Sequence, residues 1–307
     1  MKMMRVRVLL SFCLYGVVVF AVGKDDVEIS KAACIKSAEC NKTISQIFTV
    51  DDFENLFSRR NAPLAHAQDF WDYHSFITAA KNFKFEHKGF GATGGDLTQK
   101  RELAAFFAHI ATETSCASLL AASAEAKSEV PFKWGLCYNQ ELSPDQNYCE
   151  SSLVYPCAPG ASYHGRGALP VYWNYNYGEI GEALKVDLLN HPEYLSENAT
   201  LAFAAAMWRW MNPIKLKQPS AHQIMVGKYV PTKNDTDASR LPGFGLTINI
   251  LKGEAECGAT SDVKNMNNRV AHYLYFLDQL DVGRENAGDN LECSEQKVLN
   301  PSSSSSR

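Results

Sequence analysis

Apolar positions recur at the three- and four-residue steps of amphipathic helices over much of this chain. In RELAAFFAHIATETSC, Arg101 to Cys116, the residues Leu103, Phe106, Phe107 and Ile110 share a stripe, and Glu113 falls on it. Asp96 or Thr98 is placed to cap this helix, with Gln99 in the capping-box position three after Asp96. After Val50, DDFENLFSRRN reads as a first helix, and DFWDYHSFITAAKNF as a second with Phe70, Tyr73, Phe76 and Ile77 on one face. Further on, GEIGEALKVDLL, ENATLAFAAAMWRWM and NNRVAHYLYFLDQL read as core helices, the middle one stopped by Pro213. LPGFGLTINILKGEAEC is expected to break at Gly243 and Gly245 and then run as a short apolar stretch to Ile250. Between Ala121 and Gly178 helical periodicity fades and Gly, Pro, Tyr and Cys accumulate, which predicts a loop-built lobe suited to carrying polar binding groups. The run from Gly89 to Gly94 matches a dinucleotide fingerprint by letter, but no buried strand precedes it and it reads as a loop.

The ends of the chain change the picture from a plain helical domain to an exported one. Residues 1–23 combine Lys2, Arg5 and Arg7 with a short apolar run and small residues at Ala21 and Gly23, the three parts of a signal peptide. Its removal takes the formal charge from −4 to −7 (−4 − 3), which argues against nucleic acid as a partner. No second stretch of membrane length follows, so no membrane association is expected. Residues 24–48 read as a short extension and 302–307 as a Ser-rich tail. The chain without its signal, about 280 residues, suffices for one large domain or two lobes with a cleft.

Of nine cysteines, Cys13 leaves with the signal, and the remaining eight read as four disulfides in a secreted chain. No pair has Cys-x-x-Cys spacing and the eight histidines are scattered, so neither a metal nor another cofactor is expected. Asn41, Asn198 and Asn234 head glycosylation sequons and are expected on exposed loops.

The candidate chemistry begins at Glu113. A carboxylate on an apolar stripe loses water and its pKa rises, which suits a general acid; a helix-end Glu that leans into solvent or pairs with an Arg is the alternative. WGLCYNQE adds a second carboxylate, Glu141. In YHGRGALPVYWNYNYG, the rings of Tyr163, Tyr172, Trp173, Tyr175 and Tyr177 interleave with Asn174 and Asn176, offering the flat faces and amides that sugars require, or else an aromatic core under long loops. Glu254, Glu256 and Arg269 could meet Glu113, whereas Arg209 and His222 read as structurally satisfied polar residues.

RELAAFFAHIATETS, WGLCYNQE, YPCAPGASYHGRG, NYNYG, LLNHPEYL, WRWM, LPGFG, TINILKGEAECG and ECSEQK together resemble plant-type family 19 chitinases from about Thr49 to Pro301. GRGALPVYWNYNYG, NPIKLKQPSAH, VPTKNDT and HYLYFLD are similar to the plant chitinase-like members of that family associated with cell-wall and cellulose assembly. The resemblance implies a mainly α, bilobal lysozyme-like fold over residues 49–301, with a central cleft and disulfide-tied loops. It implies a proton donor at Glu113 and a base at Glu141, supported by Glu256 and Arg269, with Asn176, Tyr175, Asn249 and Tyr172 binding substrate. Such inverting enzymes, which hydrolyse β-1,4-linked N-acetylglucosamine polymers, need carboxyl groups roughly 6.5–9.5 Å apart to admit a water.

The same resemblance implies disulfides Cys149–Cys157 and Cys257–Cys293. It also implies Cys116–Cys137, because the family's early cysteine is absent at Ala65, and leaves Cys34–Cys40. Three positions depart from the family motif: Thr112 replaces a His, Pro170 a Gln, and Tyr172 the Ser expected to hold the attacking water. The expectation is therefore a secreted, monomeric chitinase-like protein of the plant wall. It binds chitin oligomers or wall glucan with weak or no hydrolysis. An active inverting endochitinase and a purely structural secreted glycoprotein are the alternatives.

Overall fold

In the computed structural model, residues 42–82, 84–85, 88–116, 131–214, 218–258 and 263–299 are described. The signal peptide, Cys34, Cys40, Asn41 and the Ser-rich tail lie outside them. The elements are α1 (Ile44–Ile47), α2 (Val50–Leu56), α3 (Tyr73–Asn82), β1 (Lys84–Phe85), β2 (Lys88–Gly89), α4 (Asp96–Glu113), α5 (Asn174–Leu184), α6 (Tyr194–Glu197), α7 (Ala199–Met211), α8 (Ala221–Met225), α9 (Lys233–Asp237), α10 (Phe244–Glu256) and α11 (Val263–Gln279). β1 and β2 form one antiparallel pair. The protein is thus mainly helical, with long disulfide-tied loops.

α4 is the axis of the core. Every residue from Glu102 to Ala111 is buried, so the helix is enclosed on all sides rather than along one stripe. Its buried Ala104, Ala105, Ala108 and Ala111 keep it slim, and α11 packs along it. Phe107 meets Phe76 and Phe48 at ring centroids of 4.9 and 5.0 Å, and Phe106 meets Phe90 at 4.6 Å. Each such buried ring contributes about 1.5–3 kcal/mol, which fixes the helix whose last residue is Glu113.

Several boundaries differ from the sequence reading. Gly95, not Asp96 or Thr98, precedes the first turn of α4. Asp96 lies in that turn, paired with Lys42 and favoured there by the helix dipole. Gln99 is no capping-box partner: its buried Nε2 donates to the carbonyls of Gly91 (2.7 Å) and Lys42 (2.8 Å). α2 ends at Leu56, and α3 starts only at Tyr73, after the Asp72 carboxylate accepts from Ser75 N at 2.8 Å. α5 starts at Asn174, four residues before the expected helix. α10 does not break at Gly245. That glycine lies inside the helix because a Cβ there would run into the Glu292 carbonyl. The irregularity falls instead at Lys252, whose φ of −144° and ψ of 23° are not helical.

Residues 135–173 are a loop region whose regular pairing consists of the isolated bridges Gln140 with Arg166 and Arg166 with Val171. Among the described residues, three disulfides hold the loops: Cys116–Cys137, Cys149–Cys157 and Cys257–Cys293, with Cα separations of 5.7, 6.1 and 5.0 Å. Ala65 packs against both Cys116 and Cys137, so the replacement cysteine reaches the space beside the lost one. The bond ties the chain just beyond α4 to the loop leading to Glu141.

Candidate active site

Glu113 ends α4, and its two oxygens are taken by different cations. Arg269 of α11 donates through Nη2 to Oε1, and Lys252 Nζ lies 3.0 Å from Oε2. Arg269 also forks onto Glu256, Nε to Oε2 at 2.6 Å and Nη2 to Oε1 at 2.7 Å. Its Nη1 donates to His109 Nδ1 at 3.2 Å, so the ring proton sits on Nε2, which donates to Thr247 Oγ1 at 2.9 Å. Burial, then the Arg269 charge, hold His109 well below the ordinary histidine value, and it stays neutral.

This arrangement corrects the expectation of a raised acid. Burial does push the Glu113 carboxyl up, but the Lys252 and Arg269 charges and their hydrogen bonds outweigh it and hold the group well below the carboxylate range. Burial also opposes the charge on Arg269, yet Glu113 and Glu256 keep it ionised. The position that pattern alone assigns to a loaded proton donor therefore carries an ion pair.

Glu141 is set by the loop region. Its N–H donates to Gly165 O at 2.8 Å, its Oε2 accepts from Gly165 N at 3.3 Å, and its Oε1 accepts from Tyr148 OH at 3.1 Å. Burial, then this carboxylate, push the Tyr148 phenol up to about 12. Glu113 and Glu141 face one cleft of about 270 Å³, shared with Tyr138, Gln140, Pro170 and Tyr172.

Tyr172 bridges the two sides. Its ring lies 5.7 Å below Lys252 Nζ and 5.2 Å from the Tyr148 ring, and it covers Gly165, where any Cβ would collide with it. Burial and the fields of both Glu113 and Glu141 raise its phenol, which stays neutral. The turn that aims it is held in place by neighbouring backbone: Trp173 has φ 73°, a region bulky residues avoid at a cost of about 1–3 kcal/mol, while its N–H donates to Tyr163 O at 3.0 Å. Arg209 braces the preceding loop by donating to the carbonyls of Pro170 (2.5 Å) and Leu169 (3.2 Å).

From Tyr172 an aromatic path leads outward. Tyr148 meets Trp173 at 5.4 Å, and Trp173 stacks on the exposed Tyr175 at 6.2 Å with 8° between planes. Asn176 donates to Tyr172 O at 2.7 Å and braces the same turn. Asn249 does not reach the cleft. It is buried, its Nδ2 donates to Gln296 Oε1 and Lys297 O, and its Oδ1 accepts from Leu299 N, so both of its donors are spent inside the protein.

Thr112 points toward α11, where its hydroxyl donates to Ala108 O and lies 3.3 Å from His272 Nδ1, so that departure alters helix packing rather than the cleft lining. His222 is satisfied in the core by the Glu102 carboxylate, which also accepts from Trp210 Nε1 at 2.9 Å. Asn198 is exposed and caps α7, and Asn234 is exposed in the short helix α9 rather than on a loop. Among the described residues no cluster of His, Cys, Asp and Glu is arranged to hold a metal, and no helix is long and apolar enough to cross a membrane.

Lys252, Tyr148 and His109 were not visible as site residues in the sequence. Lys252 carries no periodic signal because it sits where α10 leaves helical geometry. His109 lies four residues before Glu113 on the same helix, a spacing that could have flagged it.

The profile of the family described as Chitinase class I matches residues 47–293. The chain is 59% identical over 267 residues to "Chitinase-like protein 1" of Arabidopsis thaliana, covering 86% of this chain and 80% of that protein. It is 39% identical over 253 residues to "Inactive chitinase-like protein 1" of Hevea brasiliensis, covering 82% and 76%. The solved class IV chitinase of family GH19 from Zea mays superposes with a TM-score of 0.60 at 28% identity, covering 82% of this chain and all of that one.

Proposed function

Because the chain belongs to the class I chitinases of glycoside hydrolase family 19, we propose that it is a secreted glycan-binding protein of the plant cell wall that holds a β-1,4-linked chain with little or no hydrolysis. One observation carries this reading: Tyr172 lies in the cleft between the groups that hold Glu113 and Glu141, while both oxygens of Glu113 are engaged by cations. An inverting reaction needs a proton on the acid and a water beside the base. Here the acid position is ionised, and a phenol stands where the family carries the water-holding Ser.

Binding is supported by what remains. Tyr138, Gln140, Tyr148, Tyr172, Trp173 and Tyr175 present ring faces and polar ends along one path, the combination that sugar rings and their hydroxyls require. Glu113 and Glu141 would accept hydroxyl protons as binding groups rather than act as acid and base. The relatives whose names read "chitinase-like" and "inactive" agree with this division. Export, glycosylation at Asn198 and Asn234, and a monomeric state belong to the same proposal.

The active alternative is favoured by a specific observation, since Glu113, Glu141, Glu256 and Arg269 are all present and three of them interlock. Calorimetric titration with chitin hexamer and cellohexaose tests the binding reading. Saturable binding of at least one, weakened about tenfold or more by the double variant Trp173→Ala, Tyr175→Ala, is expected; no binding of either sinks it.

A further inference from the structure

Glu113, Arg269 and Glu256 form a buried set of two carboxylates around one guanidinium. Counted alone, the set carries one net negative charge out of water. Carboxylates that share a site resist ionising together, so such a set favours taking up one proton. Lys252 changes the count. It adds a second cation in direct contact, 3.0 Å from Glu113 Oε2, so the two carboxylates are bonded by two cations and no proton is required.

The backbone delivers it there. α10 is regular up to Leu251 and departs from helical angles at Lys252, and the side chain is 27% exposed beside a Glu113 side chain that is 11% exposed. The other groups facing Glu113 cannot take over this role. His109 is neutral and accepts from Arg269, and Tyr172 is a neutral phenol beneath the Lys252 ammonium. Arg209 lines the same small void as Glu113 and Lys252 and its charge is felt there, but its Nη1 donates to the Leu169 and Pro170 carbonyls rather than to Glu113. Glu141 lies across the cleft on the loop region.

We propose that Lys252 is the charge-setting residue of this cleft: it holds Glu113 ionised, so that position 252, together with Tyr172, determines whether the site can donate a proton to a bound glycan. This rests on the reading of Glu113 as the carboxylate at the acid position. Lys252 acts through Glu113 and is a positioning residue rather than a catalytic one.

The test needs no glycan, so its outcome is separate from that of the binding experiment. The Glu113 side-chain carboxyl, labelled with carbon-13 and assigned by its loss in Glu113→Gln, is titrated by NMR in the wild-type protein, Lys252→Met and Lys252→Arg. Wild type and Lys252→Arg are expected to keep the carboxyl ionised below the ordinary glutamate midpoint of about 4.3. Lys252→Met is expected to raise its midpoint by about 2 pH units or more, above that value. An unchanged midpoint in Lys252→Met overturns the proposal, as does a wild-type midpoint at or above about 4.3. Should Lys252→Met fail to fold, Lys252→Gln gives the same reading, and the wild-type midpoint retains its power to refute.

Discussion

Arg269→Met tests whether the charge set behind the cleft is as tightly interdependent as its geometry indicates. The substitution keeps an unbranched, largely apolar side chain of similar reach in a position that is 3% exposed. It removes both hydrogen bonds to Glu256, the one to Glu113 and the two to His109. Glu113 keeps Lys252, but Glu256, with a side chain 4% exposed, loses its cation. Breaking a buried pair by removing one partner costs about 3–5 kcal/mol, against a total stability of about 5–15 kcal/mol.

At about 2–4 °C per kcal/mol, the melting temperature at pH 7 should fall by roughly 6–20 °C. The loss should be pH-dependent with a definite sign. A buried carboxylate without a cation has a raised folded-state pKa, so the variant recovers stability relative to wild type as pH falls toward the unfolded value of about 4.3. Urea melts of both proteins from pH 7 to pH 4 measure this. A loss under about 1 kcal/mol, or one that does not shrink with acid, would refute the reasoning.

Tyr172→Ser should weaken glycan affinity about three- to tenfold through the lost ring and gain no hydrolysis alone; combined with Lys252→Met it should begin to cleave chitin hexamer, as product analysis would show. The paired change Cys116→Ala, Cys137→Ala opens a crosslink with a sequence separation of 21 and should cost about 3 kcal/mol in denaturant melts. His272 is buried, and burial, opposed by its bond to Asn268 O and reinforced by Arg269, lowers its pKa to about 4. Its folded form binds fewer protons than the unfolded one, so it removes about 3 kcal/mol of stability as pH falls from 6.5 to 4; His272→Phe should flatten that part of the profile.

The helical core and the placement of Glu113 and Glu141 were legible in the sequence because long apolar periodicity and the family motifs each extend over many residues. Pro213 and the α7 pattern gave that helix to within a residue or two. Boundaries set by tertiary contacts were not legible. Gly245 looks like a breaker until the Glu292 carbonyl is seen against it, and Gln99 looks like a capping residue until its buried bonds appear. Asn249 matches a cleft-lining position by motif, yet it is buried and three bonds tie it to residues 296–299.

The charge state of Glu113 shows the same limit more sharply. The apolar stripe implies desolvation, and desolvation is present. The cations that outweigh it come from residues 139 and 156 positions away, at a distortion of α10 that no local pattern announces. Cys116 and Ala65 were easier, since the resemblance to the family marks one cysteine missing and another gained.

The central claim is that the cleft retains a β-1,4-linked chain without cutting it. Its most direct measurement is incubation of chitin hexamer with a molar excess of the protein, followed by mass spectrometry and product anomer over days, with Glu113→Gln alongside. The account predicts intact hexamer with both proteins. Cleavage by the wild type with anomeric inversion, abolished in Glu113→Gln, would contradict it and make the protein an endochitinase in which Tyr172 leaves room for the attacking water.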